Sequence, residues 1–109
     1  NKAGATLTFD TGTLNIAGTF TNEGTYTQSA GGGVALSGDL VNSGTLNQTN
    51  GSITFAGTTT VSGSGTTSFK DVILNGTSLT LPAGTINVAG DLTFTAGSFN
   101  HGNGIINFK

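Results

Sequence analysis

The chain repeats itself at an interval of about twenty residues. The segment GTFTNEGTYTQ at residues 18–28 is answered by GDLVNSGTLNQ at residues 38–48, and several residues keep their place. The residues that recur are Gly18, Asn22, Gly24, Thr25 and Gln28. The apolar residues between them vary, as where Phe20 becomes Leu40. A repeat this short cannot bury its apolar side alone, so the sequence predicts a stack of units that cover one another.

Within each unit, apolar and polar residues alternate, as in Leu14-Asn15-Ile16 and Ile53-Thr54-Phe55. Alternation with a period of two and an enrichment in β-branched and aromatic residues is typical of short strands. Gly, Asn and Ser interrupt the pattern every six to eight residues, which leaves room for a tight bend and little more. The sequence therefore predicts an all-β fold.

The apolar positions of these strands fall into three columns, whose members follow one another at steps of 19 to 21 residues. Column A contains Leu14/Ile16, Val34/Leu36, Ile53/Phe55, Val72/Leu74 and Leu92/Phe94. Column B contains Phe20/Asn22, Leu40/Asn42, Thr59/Val61, Leu79/Leu81 and Phe99/His101. Column C contains Leu7/Phe9, Tyr26/Gln28, Leu46/Gln48, Thr67/Phe69, Ile86/Val88 and Ile106/Phe108.

Sixteen short strands in three columns predict a three-sided parallel β-solenoid (β-helix) of five to six turns, with about 19–20 residues per turn. We expect right-handed winding, because parallel crossover connections are overwhelmingly right-handed. Residues 1–109 form a single solenoid segment in this interpretation, without a linker and with uncapped ends.

The repeated glycines and amides have separate roles in such a stack. Glycine suits a corner that every turn must make at the same place. Asn22 over Asn42, and Gln28 over Gln48, predict amide ladders that run along the stack. His101, the single histidine, falls in column B at the position of the two asparagines, so we expect a ladder or corner role for it rather than a general base or a metal ligand.

The motif N-x-G-T-[YL] after G-x-[FL] resembles the repeats of filamentous-haemagglutinin-type adhesins and related secreted bacterial β-helix proteins. The close match covers residues 14–57, and a looser one continues through residue 109. This resemblance implies an extracellular or cell-surface rod that serves adhesion, biofilm formation or surface display. The partners that we expect are further copies or coils of the rod, and host or surface glycans.

Composition argues against several other classes. The chain has no Cys and no Arg, and its eight charged side chains give a formal net charge of −2, so no basic patch for nucleic acid is expected. No apolar run approaches the roughly 20 residues of a membrane helix, so no membrane insertion is expected. The acids are separated by whole turns, so we expect no metal, no cofactor and no catalytic site. A carbohydrate-active solenoid is a less favoured alternative, because only three lysines are present to bind acidic sugars.

The outer side of column C carries two outward files, of which the first is rich in threonine and the second changes to Asn and Ser. The candidate surface-binding residues are Thr6, Thr8, Thr25, Thr27, Thr45, Thr66 and Thr85. Threonine files on flat solenoid faces resemble those of ice-binding proteins, which gives an ice- or surface-binding module as the alternative function. The simpler explanation is that threonine is a good strand residue after a corner glycine.

Both ends of the predicted stack carry apolar strands. Leu7 and Phe9 lie at one end, and Ile106 and Phe108 lie at the other. We therefore expect end-to-end self-association into a fibre, in which Ile105–Phe108 takes the place that Leu7–Phe9 would occupy. The alternative is that the chain is an excerpt of a longer continuous rod.

Overall fold

The computed structural model describes all 109 residues and contains fourteen β-strands and no helix. The strands are β1 (Thr6–Thr8), β2 (Thr13–Ile16), β3 (Phe20–Asn22), β4 (Thr25–Gln28), β5 (Gly33–Leu36), β6 (Leu40–Asn42), β7 (Thr45–Gln48), β8 (Ser52–Phe55), β9 (Thr58–Ser62), β10 (Thr66–Phe69), β11 (Asp71–Thr80), β12 (Thr85–Val88), β13 (Leu92–Asn100) and β14 (Ile105–Phe108). Every strand pairing is parallel. The structure has no helix that could span a membrane. The chain is a β-solenoid of about five stacked coils, which confirms the predicted fold class.

Column C is a continuous sheet. Six strands lie side by side in the order β1-β4-β7-β10-β12-β14, so successive coils add one strand each. The aligned inward residues are Leu7, Tyr26, Leu46, Thr67, Ile86 and Ile106. This register is the one that the sequence predicts.

Column A is also confirmed in all five coils. Leu36, Phe55 and Leu74 lie directly over one another and are almost completely buried. Phe55 packs edge-on against Phe69 from column C, with ring centroids 5.9 Å apart. These residues belong to one hydrophobic cluster of 15 buried side chains that fills the interior of the solenoid.

The predicted register of column B is wrong in the third coil. Leu40 pairs with Val61 and not with Thr59. The chain takes two residues more to reach column B here, since Leu40 lies four residues beyond β5 and Val61 lies six residues beyond β8. A shift of two residues keeps the same face of a strand inward, so Val61 and Thr59 are both buried. The hydroxyl of Thr59 donates to the carbonyl oxygen of Gly38 at 3.0 Å, which offsets the cost of burying it.

The fourth and fifth coils have two strands each instead of three. β11 and β13 run through columns A and B without a break, which reduces the predicted sixteen strands to fourteen. The corner between the columns survives as an irregularity in the β11–β13 ladder, with register shifts on either side of Asn75. An extra residue of this kind bends a strand without ending it. Because β11 also pairs with both β8 and β9, it joins the two columns into one eight-stranded sheet.

Close packing of the coils requires glycine at the corner that contains Gly24, Gly44 and Gly65. A Cβ atom on Gly44 would collide with the carbonyl oxygen of Gly24 in the coil below, and one on Gly65 would collide with that of Gly44. Neither Gly24 nor Gly44 has a left-handed φ. Space between coils, rather than backbone conformation, therefore excludes larger residues from these two corners.

Phe55→Ala should destabilise the protein by about 3–5 kcal/mol, because truncating a buried aromatic side chain leaves a cavity. Phe55 has no exposed surface, whereas the adjacent Thr54 is half-buried and faces outward. Thr54→Ala is therefore the matched control and should cost little. Midpoints of denaturant unfolding measure both variants, and equal losses would contradict the inward assignment of Phe55.

Candidate functional site

The threonine file is an in-register row on the outer side of the column C sheet. Thr25 pairs with Thr6 on one side and with Thr45 on the other. Thr66 pairs with Thr45, and Thr85 continues the row in the next coil. Strand spacing places neighbouring hydroxyls about 4.8 Å apart along the row. The row ends at Ile105, which is paired with Thr85 and is 64% exposed.

The second outward file of this face changes character along the stack. Thr8 and Thr27 are aligned in the first two coils, and Asn and Ser replace threonine in the later ones. There the side chains hydrogen-bond to one another: Asn87 Nδ2 donates to Ser68 Oγ at 3.4 Å, and Asn107 Nδ2 donates to Asn87 Oδ1 at 3.2 Å. Only the first two coils therefore present hydroxyl-and-methyl groups in both files.

The asparagines form a buried ladder inside the corner between columns B and C. Asn22 Nδ2 donates to Asn42 Oδ1 at 2.9 Å and to the carbonyl oxygen of Thr45 at 3.0 Å. Asn42 Nδ2 repeats the arrangement in the next coil, where it donates to the carbonyl oxygen of Thr66 at 2.9 Å and to Thr67 Oγ1 at 2.8 Å. Each amide is thus hydrogen-bonded both to a neighbouring side chain of the ladder or strand and to a backbone carbonyl of the next coil, so its burial leaves no donor unpaired.

Asn1 is a further member of this ladder that the sequence analysis missed. Its Nδ2 donates to Asn22 Oδ1 and to the carbonyl oxygen of Thr25, both at 2.8 Å. The sequence pattern of this corner is longer than in later coils. Asn, Gly and Thr occur in the same order, but extra residues separate Asn1, Gly4 and Thr6.

The glutamines form a second ladder at the corner between columns C and A. Gln48 Nε2 donates to Gln28 Oε1 at 2.9 Å, and Gln28 Nε2 donates to the carbonyl oxygen of Gly32 at 2.8 Å. The hydroxyl of Tyr26 also donates to Gln28 Oε1, at 3.1 Å. Gln48 Oε1 accepts the backbone N–H of Lys70 at 3.2 Å. Both glutamines are buried, and no buried side-chain polar atom of the protein lacks a hydrogen-bond partner.

His101 lies outside both ladders, contrary to its predicted position. Because column B slips by two residues in the third coil, His101 follows the file of Leu40, Val61 and Leu81 rather than that of the asparagines. It is exposed, and its ring makes no hydrogen bond within the chain.

Two of the five acidic side chains accept hydrogen bonds from the backbone of the next coil. Asp39 Oδ1 accepts the N–H of Thr60, and Asp71 Oδ1 accepts the N–H of Asp91, both at 2.9 Å. Asp10 contacts the hydroxyl of Ser29 at 3.5 Å. No group of three or more His, Cys, Asp or Glu residues lies close enough together to hold a metal ion. Asp39 and Asp71 act as acceptors between coils.

The fifth coil carries exposed apolar side chains at positions that face inward in the fourth coil beneath it. Phe94 is 54% exposed although Leu74 beneath it is fully buried, and Phe108 is 58% exposed although Val88 beneath it is buried. Phe99 is exposed in the same way. This coil has a neighbouring coil on one side only. Its aromatic side chains are therefore uncovered on the other side, and one edge of β13 and one edge of β14 are unpaired.

The four residues predicted to make the end-to-end contact lie at opposite edges of the column C sheet. Leu7 and Phe108 are exposed, and Phe9 and Ile106 are half-buried against the core cluster. The sheet therefore separates the two pairs within one copy, and they can meet only between copies.

Comparison with protein-family profiles, with curated proteins and with solved structures finds no match for the chain. The resemblance to filamentous-haemagglutinin-type repeats therefore stays a prediction from the sequence.

Asn42→Ala should destabilise the protein by roughly 1–3 kcal/mol, because it leaves buried polar groups without partners. The variant removes the donor to the carbonyl oxygen of Thr66 and the acceptor of the Asn22 amide. Asn47→Ala is the control, since Asn47 is exposed on the outer face. Thermal or denaturant unfolding of the two variants compares them, and an equal loss would contradict a stabilising role of the ladder.

The stability of the protein should fall as the pH rises from about 10 to 12, because burial raises the pKa of Tyr26 from 10.0 to about 12. The unfolded chain ionises Tyr26 first, so the stabilisation is complete below pH 10 and is lost as the pH approaches the folded-state pKa. Tyr26→Phe removes this contribution and leaves the lysines unchanged. The free energy of unfolding of both proteins across this range tests the assignment, and parallel curves would refute it.

Proposed function

We propose that the chain is a non-catalytic structural segment of an extracellular, self-associating β-solenoid rod, of the kind that surface adhesins and biofilm fibres use. The observation that carries this proposal is the fifth coil, whose inward aromatic side chains lie exposed beside unpaired strand edges. Soluble proteins usually cover or charge such edges, because they pair readily with further strands. A further coil of the same kind is the occupant that matches both the side chains and the edges.

The polar groups of the fifth coil favour the same occupant. Asp39 and Asp71 each accept a backbone N–H from the coil that follows. Asp91 is aligned with Asp71 at the same corner and is exposed. A coil added to this end would offer Asp91 the N–H donor that Asp71 already receives from Asp91. The added coil thus offers hydrogen-bond complementarity as well as apolar surface.

A second copy fits the stack when its terminal strand is exchanged. β14 carries Ile106 and Phe108 inward, and β1 carries Leu7 with Phe9 directly after it, so the two strands present the same inward pair. β1 is only three residues long, is exposed throughout and pairs with β4 alone. In the proposed contact, β14 of one copy replaces β1 of the next and pairs with its β4. The solenoid then continues from one copy into the other without a gap.

Phe94→Asp tests this contact, because it places a charge at the centre of the proposed interface. Ile105→Asp is the matched control, since Ile105 is more exposed but faces outward. We expect the parent chain and the Ile105 variant to form end-to-end filaments in electron micrographs at high concentration. The Phe94 variant and a chain lacking residues 104–109 should stay monomeric. A monodisperse monomeric parent chain, or filaments from all four proteins, would reject end-to-end association.

The threonine face gives the second candidate function, a module that binds ice or another ordered surface. The supporting observation is the in-register row of Thr6, Thr25, Thr45, Thr66 and Thr85 on one flat sheet. Thr45→Lys should abolish inhibition of ice recrystallisation, whereas Thr21→Lys on another face should not. Glycans of a host or surface are the other partners that we propose for the outer faces, and a glycan array with a reducing-sugar assay tests both binding and the absence of catalysis.

A further inference from the structure

Three asparagines of the chain are followed by glycine. They are Asn50, Asn75 and Asn103. Glycine leaves the backbone nitrogen after an asparagine unhindered, so this nitrogen can attack the side-chain amide of the asparagine when the two groups are brought together. The fold places the three pairs in different environments, and only one of them is arranged for this reaction.

Asn50 lies in the bend between β7 and β8 and is exposed. The backbone nitrogen of Gly51 is 2.8 Å from Asn50 Oδ1 and donates its hydrogen bond there. The side-chain carbonyl that the nitrogen would attack is therefore already folded back against it. Such pre-positioning is what converts a slow encounter within a flexible chain into a favoured one.

Gly51 cannot be exchanged for a bulkier residue that would hinder the attack. It has a left-handed φ of 76°, and a Cβ atom would collide with the carbonyl oxygen of Gly32 and with the side-chain amide of Gln28. The packing of this corner thus requires the residue that makes Asn50 reactive.

The other two pairs are held away from the reaction. Asn75 lies inside β11, in register with Ala96 of β13, and the backbone of Gly76 packs directly against Gly57. Ring closure there would require the strand to leave its sheet. In the third pair, the backbone nitrogen of Gly104 donates to the carbonyl oxygen of His101 at 2.9 Å, so a turn occupies this nitrogen.

We infer that Asn50 is a site of spontaneous deamidation through a cyclic imide. The nitrogen of Gly51 loses its proton to solvent base and bonds to Cγ of Asn50; the side-chain nitrogen takes up a proton from solvent, and the Cγ–Nδ2 bond breaks to release ammonia. Water then opens the ring at either carbonyl, which yields aspartate or isoaspartate at position 50. The conversion adds one negative charge to a chain whose formal net charge is −2.

Isoaspartate would also alter the corner itself, because it adds a methylene group to the main chain. The bend is held by Thr49, whose N–H donates to the carbonyl oxygen of Gln28 at 2.9 Å, and by Ser52, whose N–H donates to that of Gly32 at 3.0 Å. A longer main chain between these two anchors cannot keep both bonds at their present length. Deamidation therefore loosens the third coil at the point where it covers the glutamine ladder.

Peptide mass mapping of the folded chain, incubated at neutral and at alkaline pH, tests this site. We expect conversion at Asn50 to exceed that at Asn75 and Asn103 by about tenfold or more, since only Asn50 is pre-positioned. The rate should rise with pH, because the attacking nitrogen must lose its proton. Fragmentation that distinguishes isoaspartate from aspartate should find both products, which direct hydrolysis of the amide would not give.

The same measurement in denaturant is the control, because all three sites then share only their Asn–Gly sequence. The preference for Asn50 should disappear there, and Asn50→Gln should remove conversion in the folded chain while Asn75→Gln does not. Equal rates at the three sites of the folded chain would overturn the inference. A preference for Asn50 that persists in denaturant would also overturn it, because local sequence rather than the fold would then be the cause.

Discussion

Parallel backbone hydrogen bonding between coils is the constraint on which the rest of this structure depends. Each coil must lie about 4.8 Å above the last, with paired strands in register, as the pairing of Thr25 with Thr6 and Thr45 illustrates. Corners therefore repeat, and glycines such as Gly24 and Gly44 stack backbone to backbone where a Cβ has no room. Apolar positions have only to fill volume, so Phe20 can lie over Leu40.

The corners explain why amides occupy an otherwise apolar interior. A buried amide is costly unless its donors and acceptor find partners, and the turning backbone at a corner offers carbonyl groups within reach. Asn22 and Asn42 each donate to a backbone carbonyl of the next coil, and Gln28 donates to the carbonyl oxygen of Gly32. The asparagine amides donate toward the next coil, whereas Gln48 donates back to Gln28 in the coil before. Both ladders are uncharged, so no buried ion pair is needed.

How far the sequence predicts the structure depends on how strongly each residue marks its side of a strand. Columns A and C are predicted in full, because apolar pairs recur in nearly every coil at a constant step. Column B fails where Thr59 and Val61 both suit the interior, so that counting residues cannot choose between them. The sequence also does not predict that β11 runs through both columns, because this depends on an irregularity at Asn75 that no fixed sequence pattern marks.

The candidate sites follow the same rule. Alternation alone predicts the threonine row, because the outward register of column C is unambiguous. The predicted position of His101 is wrong because the register of column B shifts by two residues in the third coil, between Asn42 and His101. Asn1 is missed because its corner is two residues longer than that of Asn22. The alternating pattern does not predict that Phe94 is exposed, because it places Phe94 inward, in register with the buried Leu74.

The long strand β11 has a consequence for how the molecule opens. It pairs with β8, β9 and β13, so both its edges are covered along most of its length, and it carries the fully buried Leu74. Repeat proteins lose structure from their ends, where each unit has a single neighbour. We therefore expect the amide hydrogens of β11 to be the last to exchange with solvent and those of β1 and β14 to be the first. In this view the molecule opens from its outer coils toward a cooperative unit that contains β11.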